Sequence, residues 1–77
     1  MTGTGFTVER IRVEVADLLG EDPAEIPLDE NLVDWGLDSI RLMTLAGRWQ
    51  EAGAEVAFVQ LAERPAIEAW AELLGAA

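Results

Sequence analysis

The chain has 77 residues, a formal net charge of −10, and neither cysteine nor histidine. A chain of this length holds one small domain, and the missing residue types exclude disulfides, thiolate metal ligands and a histidine general base. The negative charge disfavours binding to nucleic acids and to anionic lipid surfaces.

Hydrophobic residues make up 51% of the chain and recur with helical spacing, which favours a folded domain over a disordered segment. The N-terminus lacks a basic segment followed by an apolar run, and no apolar run approaches the roughly 20 residues of a membrane span. We therefore expect a soluble, cytoplasmic monomer with no membrane partner. Residues 1–77 are predicted to form a single domain, with a flexible tail over residues 1–6.

A first helix is predicted from Thr7 to Leu19. Its apolar positions fall within an arc of about 100° at helical periodicity. These positions are Val8, Ile11, Val15, Leu18 and Leu19. Thr7 can cap the helix with its side-chain oxygen, and Gly20 is a natural stop.

The connection over residues 20–38 is acidic and long. It contains two prolines, Gly36, seven acidic residues and no basic residue. Because unstructured links of this length are uncommon in small domains, the sequence predicts an ordered, functional loop. Four apolar residues are expected to pin it to the helices: Ile26, Leu28, Leu32 and Leu37.

A second helix is predicted over residues 39–52, ending at Gly53. Its buried stripe is predicted to consist of Leu42, Leu45, Ala46 and Trp49. Ile40 lies almost opposite this stripe on the helical wheel and Met43 lies at its border. Both apolar side chains are therefore expected near the surface.

Residues 56–62 form a short apolar run that fits either a strand or a short helix. A helix is favoured, because no other convincing strand is available for pairing. Pro65 suits the first turn of a last helix, whose buried face is predicted to contain Ile67, Trp70, Leu73 and Leu74. The predicted fold is all-α: three main helices, a short third helix and a long first loop.

Ser39 stands where the acidic loop meets the second helix. Catalysis by its hydroxyl is disfavoured, because the chain has neither histidine nor lysine to act as base and lacks the Gly-x-Ser-x-Gly pattern. Two uses remain open. Ser39 or Asp38 can cap the helix, or Ser39 can accept a phosphate-containing group near the free amides of the first turn.

Residues 31–43 read Asn-Leu-Val-Asp-Trp-Gly-Leu-Asp-Ser-Ile-Arg-Leu-Met. This segment resembles the phosphopantetheine attachment region of thiolation domains, in particular the aryl carrier proteins of nonribosomal peptide and siderophore assembly. The resemblance continues through residues 48–49, 58–62 and 65–70, in the expected order. The chain departs from the pattern at Ala66 and Ala71, where relatives often have Thr and Trp, which puts partner contacts at that end in doubt.

The resemblance implies an acyl-carrier-like four-helix bundle that tethers substrates without catalysing their reactions. Ser39 would be esterified by 4′-phosphopantetheine, donated from coenzyme A by a phosphopantetheinyl transferase, and Asp38 would position the site for that enzyme. The thiol of the arm would hold an aryl acid as a thioester. The further partners implied are an aryl acid adenylating ligase and the condensation domain of a nonribosomal peptide synthetase.

The resemblance also implies a docking surface on the second helix and the short third helix. The docking positions would be Ile40, Arg41, Met43, Phe58, Val59 and Ala62. Met43 and Phe58 could instead fill gaps in the core, and Arg41 could pair with a partner's acid or only solvate its helix. Trp35 could border the arm or anchor the loop, and anchoring is favoured.

Three other functions compete with an aryl carrier. A calcium loop is disfavoured, because aligning Gly36 with the invariant glycine of an EF-hand places Val33, Trp35 and Leu42 at ligand positions. No metal site is therefore expected. The chain could also carry amino acid, polyketide or fatty acyl cargo, or act as an unmodified acidic adaptor that docks through its helical faces.

Overall fold

The computed structural model describes residues 5–76, and all regular structure in that range is helical. There are four α-helices: α1 (Val8–Leu19), α2 (Ser39–Glu51), α3 (Phe58–Glu63) and α4 (Ile67–Leu74). Two single-turn 3₁₀ helices, Pro23–Glu25 and Leu32–Trp35, lie in the connection between α1 and α2. The predicted all-α bundle with a short third helix is confirmed. None of the helices in the described part of the chain has the length and apolar character needed to cross a membrane.

The ends of α1 follow from local sequence. The Thr7 hydroxyl oxygen accepts a hydrogen bond from the Arg10 backbone N–H over 3.0 Å, which satisfies one free amide of the first turn. Gly20 ends the helix with φ of 71°, a left-handed conformation that glycine adopts without steric cost. Both predicted boundaries of α1 are confirmed.

The centre of the core is an aromatic stack built on Trp49. The Trp49 ring meets Phe6 edge-to-face at 6.0 Å and Trp70 at 5.7 Å, and all three side chains are buried. The predicted flexible tail is therefore wrong at Phe6, because this side chain packs inside the domain. Residues 1–4 lie outside the described residues, and the assignment of residues 1–77 to a single domain stays a prediction.

The acidic connection is ordered, as predicted, and backbone hydrogen bonds join it to the start of α4. The Leu32 N–H donates to the Pro65 carbonyl oxygen over 2.7 Å, and the Glu68 N–H donates to the Leu28 carbonyl oxygen over 2.9 Å. Three of the four predicted anchors, Ile26, Leu32 and Leu37, are buried, and Leu28 packs partly buried against the core. These contacts fix the loop that leads to Ser39.

Two predictions for the last helix are wrong in detail. Pro65 precedes the N-cap residue Ala66 and does not lie in the first turn of α4. Leu73 is 41% exposed, because at 100° per residue it lies about 120° from Ile67 on the helical wheel. Ala71, about 40° from Ile67, takes a place on the buried face.

Candidate functional site

Asp38 is the N-cap residue of α2. Its backbone is extended, and its Oδ1 accepts a hydrogen bond from the Arg41 backbone N–H over 2.9 Å. Ser39 is then the first helical residue, exposed to solvent. Its Oγ makes no hydrogen bond within residues 5–76. Of the two capping candidates the acid takes the role, which leaves the serine hydroxyl available for chemistry.

The turn that delivers Asp38 to this position depends on Gly36. Gly36 follows the second 3₁₀ helix with φ of 100°, a conformation that L-residues with a side chain rarely adopt. Its N–H donates to Val33 and the N–H of Leu37 donates to the Leu32 carbonyl oxygen, each over 3.1 Å. The chain therefore reverses tightly before α2 begins.

A shallow groove of about 190 Å³ borders Ser39 and has a mainly apolar lining. The lining residues are Val33, Leu37, Asp38, Ser39, Leu42, Phe58, Ala62 and Pro65. The groove thus joins the 3₁₀ turn before Ser39 to α3 and to the link before α4. A larger groove of about 320 Å³ has a mixed polar and apolar lining from α3, Arg64 and α4, and none of its residues adjoins Ser39.

Exposed apolar side chains lie on α2 and α3, the two helices that contribute to the groove. Ile40 is 75% exposed and Met43 is 62% exposed, so both lie off the buried stripe of α2, as predicted. Phe58 is 36% exposed and lines the groove together with Ala62, while Val59 on α3 is largely exposed. The structure therefore gathers these predicted positions on α2 and α3, and their docking role stays a prediction.

Arg41 is placed differently from the other predicted docking residues, because its guanidinium group binds within the domain. Nη1 donates to Asp38 Oδ2 over 2.9 Å, and Nε donates to the carbonyl oxygen of Leu18 in α1 over 3.2 Å. The prediction that Arg41 lies on the partner surface or only solvates its helix therefore misses these two contacts.

The indole of Trp35 is half-buried and packs against the core. Its Nε1–H donates to Glu30 Oε1 over 3.3 Å, within the same loop. Trp35 does not line the groove beside Ser39. The interpretation of Trp35 as an anchor of the loop is confirmed.

Val33 is a groove residue that the sequence patterns did not single out. It is 56% exposed, although its neighbour Leu32 is fully buried. In a 3₁₀ helix consecutive side chains lie about 120° apart, so one of two adjacent apolar residues faces solvent. The Asn31 side-chain oxygen caps this turn by accepting a hydrogen bond from the Val33 N–H. An Asn before two apolar residues is the sequence signal that could have predicted a capped turn here.

Comparison with known families assigns the chain to one of them. Residues 9–74 match the family described as "Phosphopantetheine attachment site". The chain belongs to this family. It is therefore a carrier domain of the phosphopantetheine-binding type, and the cofactor implied is a covalently attached 4′-phosphopantetheine.

Three similar proteins differ widely in the share of their own length that the match covers. It is 56% identical over 69 residues to an isochorismatase of Bacillus subtilis, and 57% identical over 68 residues to the phenyloxazoline synthase MbtB of Mycolicibacterium paratuberculosis. These matches cover 90% and 88% of the carrier domain but only 22% and 6% of those relatives. The acyl carrier protein ScoB of Streptomyces coeruleorubidus is 43% identical over 71 residues, which are 92% of this chain and 84% of ScoB. No solved structure gives a significant match.

The residues at the start of α2 fit a phosphopantetheine group. A phosphodiester needs an accessible hydroxyl, and Ser39 is the only serine of this phosphopantetheine-binding domain. The hydroxyl of Thr44, also on α2, donates instead to the Ile40 carbonyl oxygen over 3.1 Å. The first turn of the helix tolerates a negatively charged phosphate next to its free amides.

Proposed function

We propose that Ser39 is the residue that carries 4′-phosphopantetheine, and that the domain holds an aryl acid on this arm. The observation that carries the proposal is the exposed Ser39 hydroxyl at the start of α2, left free because Asp38 caps the helix. The match to the attachment-site family over residues 9–74 supports it.

The attachment is a phosphoryl transfer from coenzyme A. The Ser39 oxygen forms a bond to the phosphorus that bears the pantetheine half, and the pyrophosphate bond of coenzyme A breaks. The adenosine bisphosphate half leaves, and a base of the transferase takes the hydroxyl proton. The domain supplies an exposed hydroxyl and a neighbouring carboxylate on Asp38, and the transferase supplies the catalysis.

The carrier role needs little chemistry from the domain itself. The bound arm supplies a terminal thiol that holds an acyl group as a thioester. The chain has no cysteine or histidine of its own, so we infer that it acts as a non-catalytic tether while partner enzymes form and break the thioester. Asp38 orients the attachment site, and the apolar groove beside Ser39 gives the arm and its cargo a surface to contact.

Aryl cargo is proposed because one relative is a phenyloxazoline synthase, a name that specifies a product with a phenyl ring. That relative is 57% identical to the chain, compared with 43% for the acyl carrier protein ScoB. The second candidate is a carrier of other acyl groups. The coverage of ScoB favours this alternative, because the domain spans 84% of that acyl carrier protein.

The proposed partners are the phosphopantetheinyl transferase, an aryl acid adenylating ligase and the condensation domain of a nonribosomal peptide synthetase. The exposed apolar side chains of α2 and α3 support docking on this side, since contiguous exposed apolar surface commonly marks protein interaction sites. Ile40, Met43, Phe58, Val59 and Ala62 are the proposed contacts, and among them Met43 and Phe58 are proposed to serve the condensation domain and not the transferase. The cytoplasmic location expected from the sequence also stays a prediction.

The attachment is tested by incubating the purified protein with coenzyme A, magnesium and a broad-specificity phosphopantetheinyl transferase. Intact-protein mass spectrometry should show the gain of one phosphopantetheine, and Ser39→Ala should abolish it. Thr44→Ala, which removes the other hydroxyl of α2, is the matched control and should be modified normally. A wild-type protein that gains no mass would support the unmodified acidic adaptor instead.

Cargo is tested after the arm has been attached. The modified protein is incubated with ATP and adenylating ligases for aryl acids, amino acids and fatty acids in turn, and thioester formation is followed by mass. Aryl loading with the highest kcat/KM is expected. Preferential loading by the other ligases would favour the general acyl carrier.

A further inference from the structure

Both oxygens of the Asp38 carboxylate are bound by one residue, Arg41. Oδ1 accepts from the Arg41 backbone N–H and Oδ2 accepts from the Arg41 guanidinium, each over 2.9 Å. The backbone contact caps α2, and the side-chain contact sets the rotation of the carboxylate about its own axis. The acid next to Ser39 therefore has one defined orientation.

The guanidinium group is itself held from a second helix. Arg41 Nε donates to the carbonyl oxygen of Leu18 over 3.2 Å, 23 residues away in sequence. Leu18 lies in the last turn of α1, where carbonyl oxygens have no partner within the helix. That turn contains no basic residue of its own, so Arg41 supplies the cation from α2. Because different nitrogen atoms make the two contacts, the planar guanidinium makes both at once.

As an isolated ion pair, Arg41 and Asp38 would contribute little to the stability of the fold. Arg41 and Asp38 side chains are about half exposed, and exposed ion pairs in water contribute little to stability. The contact to Leu18 distinguishes this pair from an isolated one, because it restrains the arginine side chain from a second helix. The geometry suits orientation of Asp38 better than stabilisation of the fold.

We propose that Arg41 is a positioning residue for phosphopantetheine attachment, which acts through Asp38 and not through contact with a partner. This inference rests on the proposed function, since it concerns the same serine. Loss of the Arg41 side chain frees the Asp38 carboxylate to rotate, so fewer encounters with the transferase present Asp38 and Ser39 in the productive arrangement.

The test compares the unsubstituted 77-residue protein with Arg41→Ala, Arg41→Lys, Asp38→Asn and the double variant, using coenzyme A and a phosphopantetheinyl transferase. Arg41→Ala should lower kcat by about three- to fivefold, as expected for loss of a partly exposed charged pair, and leave KM for the protein nearly unchanged. Arg41→Lys should recover part of the rate, because an ammonium can reach Asp38 but lacks the planar fork. Arg48→Ala, which removes the same charge from the same helix, is the matched control and should behave as wild type.

The double variant tests whether Arg41 acts through Asp38 or independently of it. If Arg41 acts through the carboxylate, Asp38→Asn with Arg41→Ala should be no slower than Asp38→Asn alone. Effects that multiply would overturn the inference. So would an Arg41→Ala variant whose KM is higher than that of wild type and less sensitive to salt while kcat is unchanged, because that pattern indicates a lost docking contact.

A purely structural role predicts a different set of results. Arg41→Ala and Arg41→Lys would then lose activity in proportion to the decrease in their melting temperatures. Their kcat would recover in assays well below both unfolding transitions. This outcome would also overturn the inference. If Arg41→Ala is modified like wild type, the inference alone fails. If the wild-type protein is not modified at Ser39, the proposed function fails, and the inference falls with it.

Discussion

The carboxylate of Asp38 lies 2.9 Å from the backbone nitrogen of Arg41, so the acid and not the adjacent serine caps α2. Asp38→Ala should therefore lower the free energy of unfolding by about 1 kcal/mol, whereas Asp38→Asn keeps a capping oxygen and should cost less. Urea denaturation followed by circular dichroism measures both. Ser39→Ala is the control, and a cost for it equal to that of Asp38→Ala would show that the serine caps the helix.

Two glycines should respond in opposite directions to alanine. Gly36 has φ of 100°, so Gly36→Ala should destabilise the domain by about 1–2 kcal/mol through backbone strain. No heavy atom lies within 4 Å of a Cβ built at either Gly36 or Gly47, so neither substitution causes a clash. Gly47 is inside α2, where alanine should stabilise by about 0.5–1 kcal/mol. Equal signs in denaturant unfolding would contradict this reading of the turn.

Met43→Ala and Phe58→Ala should impair transfer of the cargo to the condensation partner. Truncation of an interface anchor typically costs about 1–2 kcal/mol, which corresponds to about tenfold in transfer rate. Phosphopantetheinylation should remain near normal, because both side chains are exposed and their truncation leaves the fold and the pairing of Asp38 beside Ser39 unchanged. Val13→Ala, an exposed apolar residue on α1, is the control. Equal losses in both assays, or loss of the helical circular dichroism signal, would show that Met43 and Phe58 serve the core.

Glu14 should matter to the core although it is a charged residue. Its Oε1 accepts from the Trp49 indole N–H over 2.7 Å, and its Oε2 pairs with Arg10 over 2.8 Å. Glu14→Ala leaves the indole N–H of a buried ring unpaired, which should cost about 1–3 kcal/mol in the free energy of unfolding. Glu9→Ala on the exposed side of α1 should change stability by less than about 0.5 kcal/mol. A Glu14→Ala variant as stable as wild type would mean that water replaces the lost acceptor.

The predictions from sequence succeeded where the physical cause is local. Thr7 and Gly20 mark the two ends of α1, because a capping hydroxyl and a left-handed glycine act on their own neighbours. The buried stripe of α2 follows from helical periodicity alone, and all four predicted members are buried. Ile40 was placed on the surface by the same periodicity.

The error at Leu73 is one of helical geometry, because its angle on the wheel already places it away from Ile67. The other differences concern contacts between segments that are distant in sequence. Phe6 is buried because Trp49, far along the chain, offers it an aromatic face. Arg41, although exposed, reaches α1 because the end of that helix offers a carbonyl oxygen, and Pro65 stays outside α4, where its own carbonyl accepts from the loop. Neither composition nor periodicity contains this information, since each contact requires the tertiary arrangement first.

The hydrogen bonds from Leu32 to Pro65 and from Glu68 to Leu28 make the native turn before Ser39 depend on the position of α4. Pro65 and Glu68 follow Ser39 by 26 and 29 residues in the chain. A partly folded chain in which α4 has not docked therefore leaves this turn unrestrained. Folding of the last helix thus decides when the serine acquires its native surroundings.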